Sequence, residues 1–433
     1  MSSNGRSPFA PRDPQGGPGR RGEPRASSYG RAPAPGSRYG QSPAPGSPYA
    51  PLVTPAGQSA PQIPAAPQWP HRRPRRTSTL VFEIVGIALG LVGALWLLSV
   101  VAGQGGGVGG TVLAGFLAFL PLVGVLAAIM WVDRWEPEPR WLLLTALLWG
   151  VGVSTAVSLI LNEAFAFYVM GTTGSSLAAS VLGTVVGAPL VEESAKGLGV
   201  LLIFLLRRRF FDGPVDGIVY AAVVAAGFAF TENILYFVQY SDVLSEVFLA
   251  RAIQSPFAHV TFTAVIGIAL GFASRTAGRY SWLWLFPLGW LGAVMLHAVW
   301  NGSAALALYD VLYWLFQVPL FAAGIVLVVW LRNDEKATIG HRLTEYAQAG
   351  WFAPYEIHML TSLGGRRAAR RWAASRGAGA ARAMTDFQRA STSLAFTRQR
   401  ALTGRYDVGA RLDEQELLDR VVRARAGYTA PVR

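Results

Sequence analysis

The sequence predicts an all-α membrane protein. It reads as a polytopic bundle of about eight transmembrane helices, with a disordered N-terminal tail and a helical cytoplasmic C-terminal tail. Three observations predict this. First, 52% of the 433 residues are apolar and 15% charged, against about 25% charged in a soluble domain. Second, the apolar residues gather into eight runs of the roughly 20 residues that a helix needs to cross a bilayer. Such runs are far too long for barrel strands. Third, the basic residues lie in tails and short loops rather than inside the runs. The chain has no cysteine, which excludes disulfides, iron–sulfur clusters, thiolate metal sites and a Cys nucleophile.

Residues 1–77 are rich in Pro, Gly, Ser, Ala and Arg, with a weak repeat: APAPGSRYG from Ala32 and SPAPGSPYA from Ser42. Such a segment cannot bury enough apolar surface to offset its ordering entropy, so a disordered tail is expected. No apolar stretch near Met1 marks a cleaved signal peptide. The first run begins at Leu80, just after Arg72, Arg73, Arg75 and Arg76, and reads as an uncleaved anchor.

The eight runs span about 80–102, 111–132, 141–162, 178–206, 214–238, 254–273, 281–303 and 309–331. Together they define a transmembrane domain over 78–332. Cytoplasmic loops of membrane proteins carry the excess Lys and Arg. With Arg72–Arg76 inside, the inner loops hold Arg134, Arg140, Arg207–Arg209, Arg275, Arg279, Arg332 and Lys336. The outer loops at 103–110, 170–177 and 304–308 hold none, and Arg251 alone stands outside. Both termini are therefore expected in the cytoplasm of a bacterial cell, with the chain multi-pass in the plasma membrane. Residues 333–433 are rich in Arg and Ala, with helical patches at 335–349, 355–376, 381–403 and 412–425. They read as a helical appendix against the inner leaflet. The net charge of +13 sits beside hydrophobic spans, which points to anionic lipid. With no recognition helix or zinc-finger pattern, nucleic acid is not an expected partner.

Ionisable residues inside a membrane mark function by default. The fourth run carries Glu192, Glu193 and Lys196 in PLVEESAKG, and Lys196 is one of two lysines against 36 arginines. Spacings of three and four place both carboxylates within reach of the ammonium on one helix face. The fifth run carries Glu232 and Asn233; the sixth opens with His259; the seventh holds His297 and Asn301, four apart. At about 1.5 Å per residue, Glu193 lies about 21 Å from Arg207 and Glu232 about 24 Å from Asp216. His259 lies about 24 Å from Arg275 and His297 about 22 Å from Trp282. Four helices thus bring polar groups to one layer in the outer half of a core roughly 30 Å thick. Each residue also has a plainer role. Glu192 with Lys196 suits a structural ion pair, Asn233 and Asn301 suit interhelical hydrogen bonds, and Asp216 suits a helix cap. Glu83 and Glu163 suit the interface, and DRWEPEPR at 133–140 suits a stiff inner loop.

Two carboxylates, two imidazoles and an amide in a partly dry site suit water activation. A buried Glu takes the proton, and His or Asn holds an oxyanion or a metal. No HExxH motif occurs. The same groups suit a proton- or ion-coupled transporter, although no second EExxK-like segment marks an inverted repeat. A non-catalytic scaffold would also carry them, but would tolerate their loss.

The sequence resembles the PrsW family of intramembrane proteases, within the wider CAAX-protease and bacteriocin-processing superfamily. The resemblance rests on DRWEPEP (133–139), EESAK (192–196), DGIVYAAVVAAGFAFTEN (216–233), SPFAHVTFTAVIGIALG (255–271) and LHAVWN (296–301). GWFAPYEIHMLTSLGGRRAARRWA, from Gly350, resembles the tails of actinobacterial members. The resemblance implies a peptidase of metallo or glutamic type that cuts membrane-anchored proteins such as an anti-sigma factor, on the extracytoplasmic side. It implies Glu192, Glu193, His259 and His297 as catalytic residues, with Glu192 as general base. Lys196, Glu232, Asn233 and Asn301 support them. It also leaves room for zinc or another divalent ion held by His259 and His297. Glu232 stands where the wider superfamily has His.

Overall fold

The computed structural model describes residues 77–103, 107–276, 278, 280–402 and 408–430. The expected tail at 1–77 lies outside the described residues except for Thr77, as do the basic cluster before Leu80 and Arg279. The described residues fall in one compact unit. Among them the regular structure is helical and contains no strand.

The elements are α1 (Thr77–Val101), α2 (Gly107–Val132), α3 (Arg140–Thr173), α4 (176–206) and α5 (Pro214–Gln239). A short α6 (Leu244–Phe248) precedes α7 (Ala258–Arg275), α8 (Trp282–Ala305) and α9 (Tyr309–Gln348). Four more follow: α10 (Pro354–Leu360), α11 (Leu363–Ser375), α12 (Ala378–Leu402) and α13 (Val408–Thr429). Seven of the eight expected spans are helices long and apolar enough to cross a membrane. The remaining one, α4, is the helix that carries Glu192, Glu193 and Lys196, and three charges lower its apolarity. The last span does not stop at 331. It continues unbroken to Gln348 and absorbs the first of the helical patches expected in the C-terminal tail.

The centre of the bundle is α5, whose apolar window is 78% buried, against 11% for α9. Small residues make this possible by letting backbones touch. A Cβ on Gly217 of α5 would lie 2.0 Å from the Gly267 carbonyl oxygen of α7, and one on Gly267 would lie 2.1 Å from that of Gly217. Any side chain there would push the two helices apart. The start of α5 is fixed by Asp216, whose Oδ2 accepts the backbone N–H of Asp212 at 2.5 Å and of Gly213 at 2.9 Å. This is the capping role expected of it.

The end of the bundle beside Asp216 departs from the sequence reading in two places. Glu83 is buried, and it pairs with Arg207 at 2.8 Å rather than facing an interface; Glu163 is exposed. The 133–139 segment is more than a stiff loop. Trp135 is buried in the second hydrophobic core, beside Ile339, Leu360, Phe387 and Val421 of α9, α10, α12 and α13. Arg366 of α11, itself buried, donates to the Trp135 carbonyl at 3.0 Å. Glu138 accepts a hydrogen bond from the Tyr220 hydroxyl of α5. The C-terminal helices therefore close over the 133–139 segment instead of trailing from the bundle.

Candidate active site

The site is built by α4, α5, α7 and α8, together with the turn before α7. On α4, Glu192, Glu193 and Lys196 project from one face and are all buried. Lys196 Nζ lies 2.5 Å from Glu193 Oε1 and 3.7 Å from Glu192 Oε2. It also lies 3.1 Å from His259 Nδ1 and 4.2 Å from the centre of the Phe228 ring. Glu193 is fully enclosed: Thr263 of α7 donates its hydroxyl to Oε2 at 2.8 Å, and His297 Nδ1 meets Oε1 at 3.1 Å.

These partners settle both histidine tautomers. A carboxylate only accepts, so His297 Nδ1 carries a proton and donates to Glu193. His297 Nε2 is then a free lone pair, 3.9 Å from Glu192 Oε2. An ammonium only donates, so His259 Nδ1 accepts from Lys196. His259 Nε2 then donates to Glu232 Oε2 at 2.7 Å. The two imidazoles meet edge to face, 5.1 Å apart, and Phe262 stacks on His297 at 5.0 Å.

The site has a closed wall and an open wall. Glu193 and Lys196 have no exposed side-chain surface, whereas 13% of Glu232, 11% of His259 and 21% of Arg251 is exposed. Arg251 was missed as a site residue. It pairs with Glu232, donates from Nε to Asn233 Oδ1 at 2.7 Å, and lies 4.0 Å over the Tyr236 ring. Its signal was in the sequence, as the one basic residue that broke the expected bias of charge towards the inner loops. Thr263 was missed too, although it sits four residues after His259 on the same helix face.

Expected residues do not all converge. Glu192, Glu193, Lys196, Glu232, His259 and His297 do. Asn233 reaches the site only through Arg251. Asn301 points elsewhere and donates to the Thr184 carbonyl at 2.9 Å. That carbonyl belongs to a π turn at Gly183–Gly187, where the widened backbone departs from the regular ladder. Two further π turns flank the site. Trp149, from Trp149–Ser154, donates to the Ala195 carbonyl at 3.0 Å, and Leu249–Gln254 presents Arg251. Single π turns recur at functional sites because they re-aim side chains that an α-helix would place elsewhere.

The residues fit a divalent metal. Glu192, His259 and His297 each offer one ligand atom, and these atoms lie within 4.8 Å of one another. Carboxylate and imidazole are zinc ligand types. Glu192 Oε2 is buried and has no hydrogen-bond partner among the described residues; its nearest cation is the Lys196 ammonium at 3.7 Å, so it has acceptor capacity to spare for a donor or a ligand bond. The sequence reading assigned the two histidines to the ion; the geometry adds Glu192.

Residues 138–324 match a family described as PrsW family intramembrane metalloprotease. The match holds every converging residue and ends before α10. A Protease PrsW of Geobacillus kaustophilus is 33% identical over 165 residues, 37% of this chain and 68% of that protein. One from Clostridioides difficile is 32% identical over 155 residues, 35% of this chain and 63% of that protein. One from Bacillus subtilis is 28% identical over 224 residues, 50% of this chain and 92% of that protein. No solved structure matches the chain.

Proposed function

Because this chain belongs to the PrsW family of intramembrane proteases, we propose that it hydrolyses a peptide bond of a membrane-anchored, anti-sigma-factor-like protein with water activated by Glu192. The observation that carries the reading is the buried Glu192 Oε2, which accepts no hydrogen bond among the described residues and lies 3.9 Å from His297 Nε2. Glu193 and Glu232 have their charges engaged by Lys196 and Arg251, which leaves Glu192 as the carboxylate able to take a proton.

In this mechanism Glu192 removes a proton from water as the water oxygen bonds to the scissile carbonyl carbon. The carbonyl π electrons move to oxygen, and the negative charge is held near the Lys196 ammonium. Glu192 then returns the proton to the leaving nitrogen as the carbon–nitrogen bond breaks. Thr263 and His297 hold Glu193 in place, which fixes Lys196, and Glu232 with Arg251 orients the His259 ring. When bound by His259, His297 and one oxygen of Glu192, a zinc or similar ion would supply Lewis-acid polarisation of the carbonyl.

We place the protease unit at 78–332, between cytoplasmic tails at 1–77 and 333–433, with both termini inside the cell. The site then lies in the outer half of the membrane and opens past Arg251. The test is cleavage of a panel of single-span substrates by purified protein, with and without a chelator. Glu192→Gln should lower the rate by about 10²–10⁴-fold, the usual worth of a general base, and Glu193→Gln and His259→Ala should also lose activity. A substrate cut equally well by all these variants would show that the chemistry lies elsewhere. Chelator sensitivity separates the metal form of the mechanism from the glutamate-only form.

A further inference from the structure

Lys196 stands where the ligand set calls for a cation. Its side chain is fully buried, with Nζ among Glu193 Oε1 at 2.5 Å, His259 Nδ1 at 3.1 Å and Glu192 Oε2 at 3.7 Å. Two of these three neighbours belong to the candidate metal triad. The ammonium also occupies the His259 Nδ1 lone pair, while the other ring nitrogen is held by Glu232. His259 therefore has no nitrogen to give to a metal until one of these bonds is released. Glu192 Oε2, by contrast, accepts no hydrogen bond among the described residues, and the His297 Nε2 lone pair lies 3.9 Å from it.

Charge points the same way. With neutral imidazoles, the carboxylates of Glu192, Glu193 and Glu232 against Lys196 and Arg251 leave one negative charge. Without Lys196 they would leave two, the charge that a divalent ion cancels. Like charges a few ångströms apart in a buried site repel strongly, so an ammonium and a divalent ion cannot share this place at no cost to each other.

We propose that Lys196 is a tethered cation that holds two of the three ligands, Glu192 and His259, of a divalent ion whose third ligand is His297. Ammonium and metal compete for the site, and the ammonium keeps it assembled when no metal is bound. The inference rests on the active-site reading above and concerns the metal form of it.

The experiment uses the full-length protein in lipid nanodiscs, equilibrated with buffered free zinc. Bound zinc is counted by mass spectrometry, and thermal unfolding is followed in parallel with and without a chelator. Lys196→Met should bind zinc at least tenfold more tightly than wild type, and zinc should restore an unfolding temperature that the chelator lowers. Wild type should unfold at the same temperature either way. Lys196→Arg, which keeps the charge, should bind no more tightly than wild type. Adding His297→Ala to Lys196→Met should abolish the gain, which locates the ion in this site. Should Lys196→Met fail to fold, Glu193→Gln with Lys196→Met restores the wild-type charge count and should bind zinc at least tenfold more tightly than Glu193→Gln alone. Equal or weaker binding on removal of the ammonium overturns the proposal, as does zinc binding by none of the variants. The protease reading fails separately, on cleavage by Glu192→Gln at the wild-type rate.

Discussion

Towards Gln239, α5 holds Glu232 against a guanidinium and an imidazole, whereas towards Pro214 three acids, Glu138, Asp216 and Asp133, take hydrogen bonds from uncharged donors. There Tyr220 donates its hydroxyl to Glu138, Asp216 accepts two backbone N–H groups, and Asp133 accepts the backbone N–H of Glu138. At the Glu232 end, Glu193 and Glu232 each face a cation. At the Asp216 end burial pushes Asp133 up to about 7, and burial, reinforced by the Asp216 charge, raises Glu138 well above the usual carboxylate range. The contrast teaches that buried acid alone does not mark the active site. What marks it is the convergence of three carboxylates, two imidazoles and two cations in one place.

The largest effect expected from breaking this contrast comes from the Glu232 end. Arg251→Ala removes the bonds to Glu232 and to Asn233 and leaves the partly exposed Glu232 with His259 as its hydrogen-bond partner among the described residues. Each hydrogen bond to a charged group is worth about 1.5–3 kcal/mol. Thermal unfolding in detergent should show a loss of that order, and an unchanged midpoint would mean that Glu232 needs no cation. Tyr220→Phe is the counterpart at the Asp216 end. It removes one neutral donor from a buried acid, at about 1–3 kcal/mol, and should cost less than the Arg251 change. A greater loss than with Arg251→Ala would reverse the comparison. The smallest effect is in pH dependence. Asp133 has a folded pKa raised from 3.8 to about 7, so the folded state holds a proton that the unfolded chain has released. That contribution is fully present below about pH 4 and is lost as pH rises to about 7. Asp133→Asn should flatten the fall in stability between these values. An unaltered slope would assign the titration to another group.

Most of the fold was legible because span-length apolar runs and basic loops report the solvent directly. The polar layer was legible because residue spacing fixes depth along a helix. Three features were not, for physical reasons. Asn301 shares its helix face with His297, but a π turn on a neighbouring helix offers it a carbonyl, and sequence spacing does not reveal where a ladder widens. Arg251 showed as an exception to the charge rule, but its partners lie 18 and 19 residues earlier, across a reversal of the chain. Glu83 and Arg207 are each at a span end, and only the packing of α1 against the inner loop brings them together.

Trp135 has a consequence for how the protein is made. It completes a core whose other members lie between residues 339 and 428, and its carbonyl waits for Arg366, 231 positions later. At about 5–20 residues per second of synthesis, that wait lasts roughly 10–50 s after the tryptophan has left the ribosome. The last hundred residues are therefore a late-arriving lid whose keystone is translated first. Expressed on their own, they would fold around a hole.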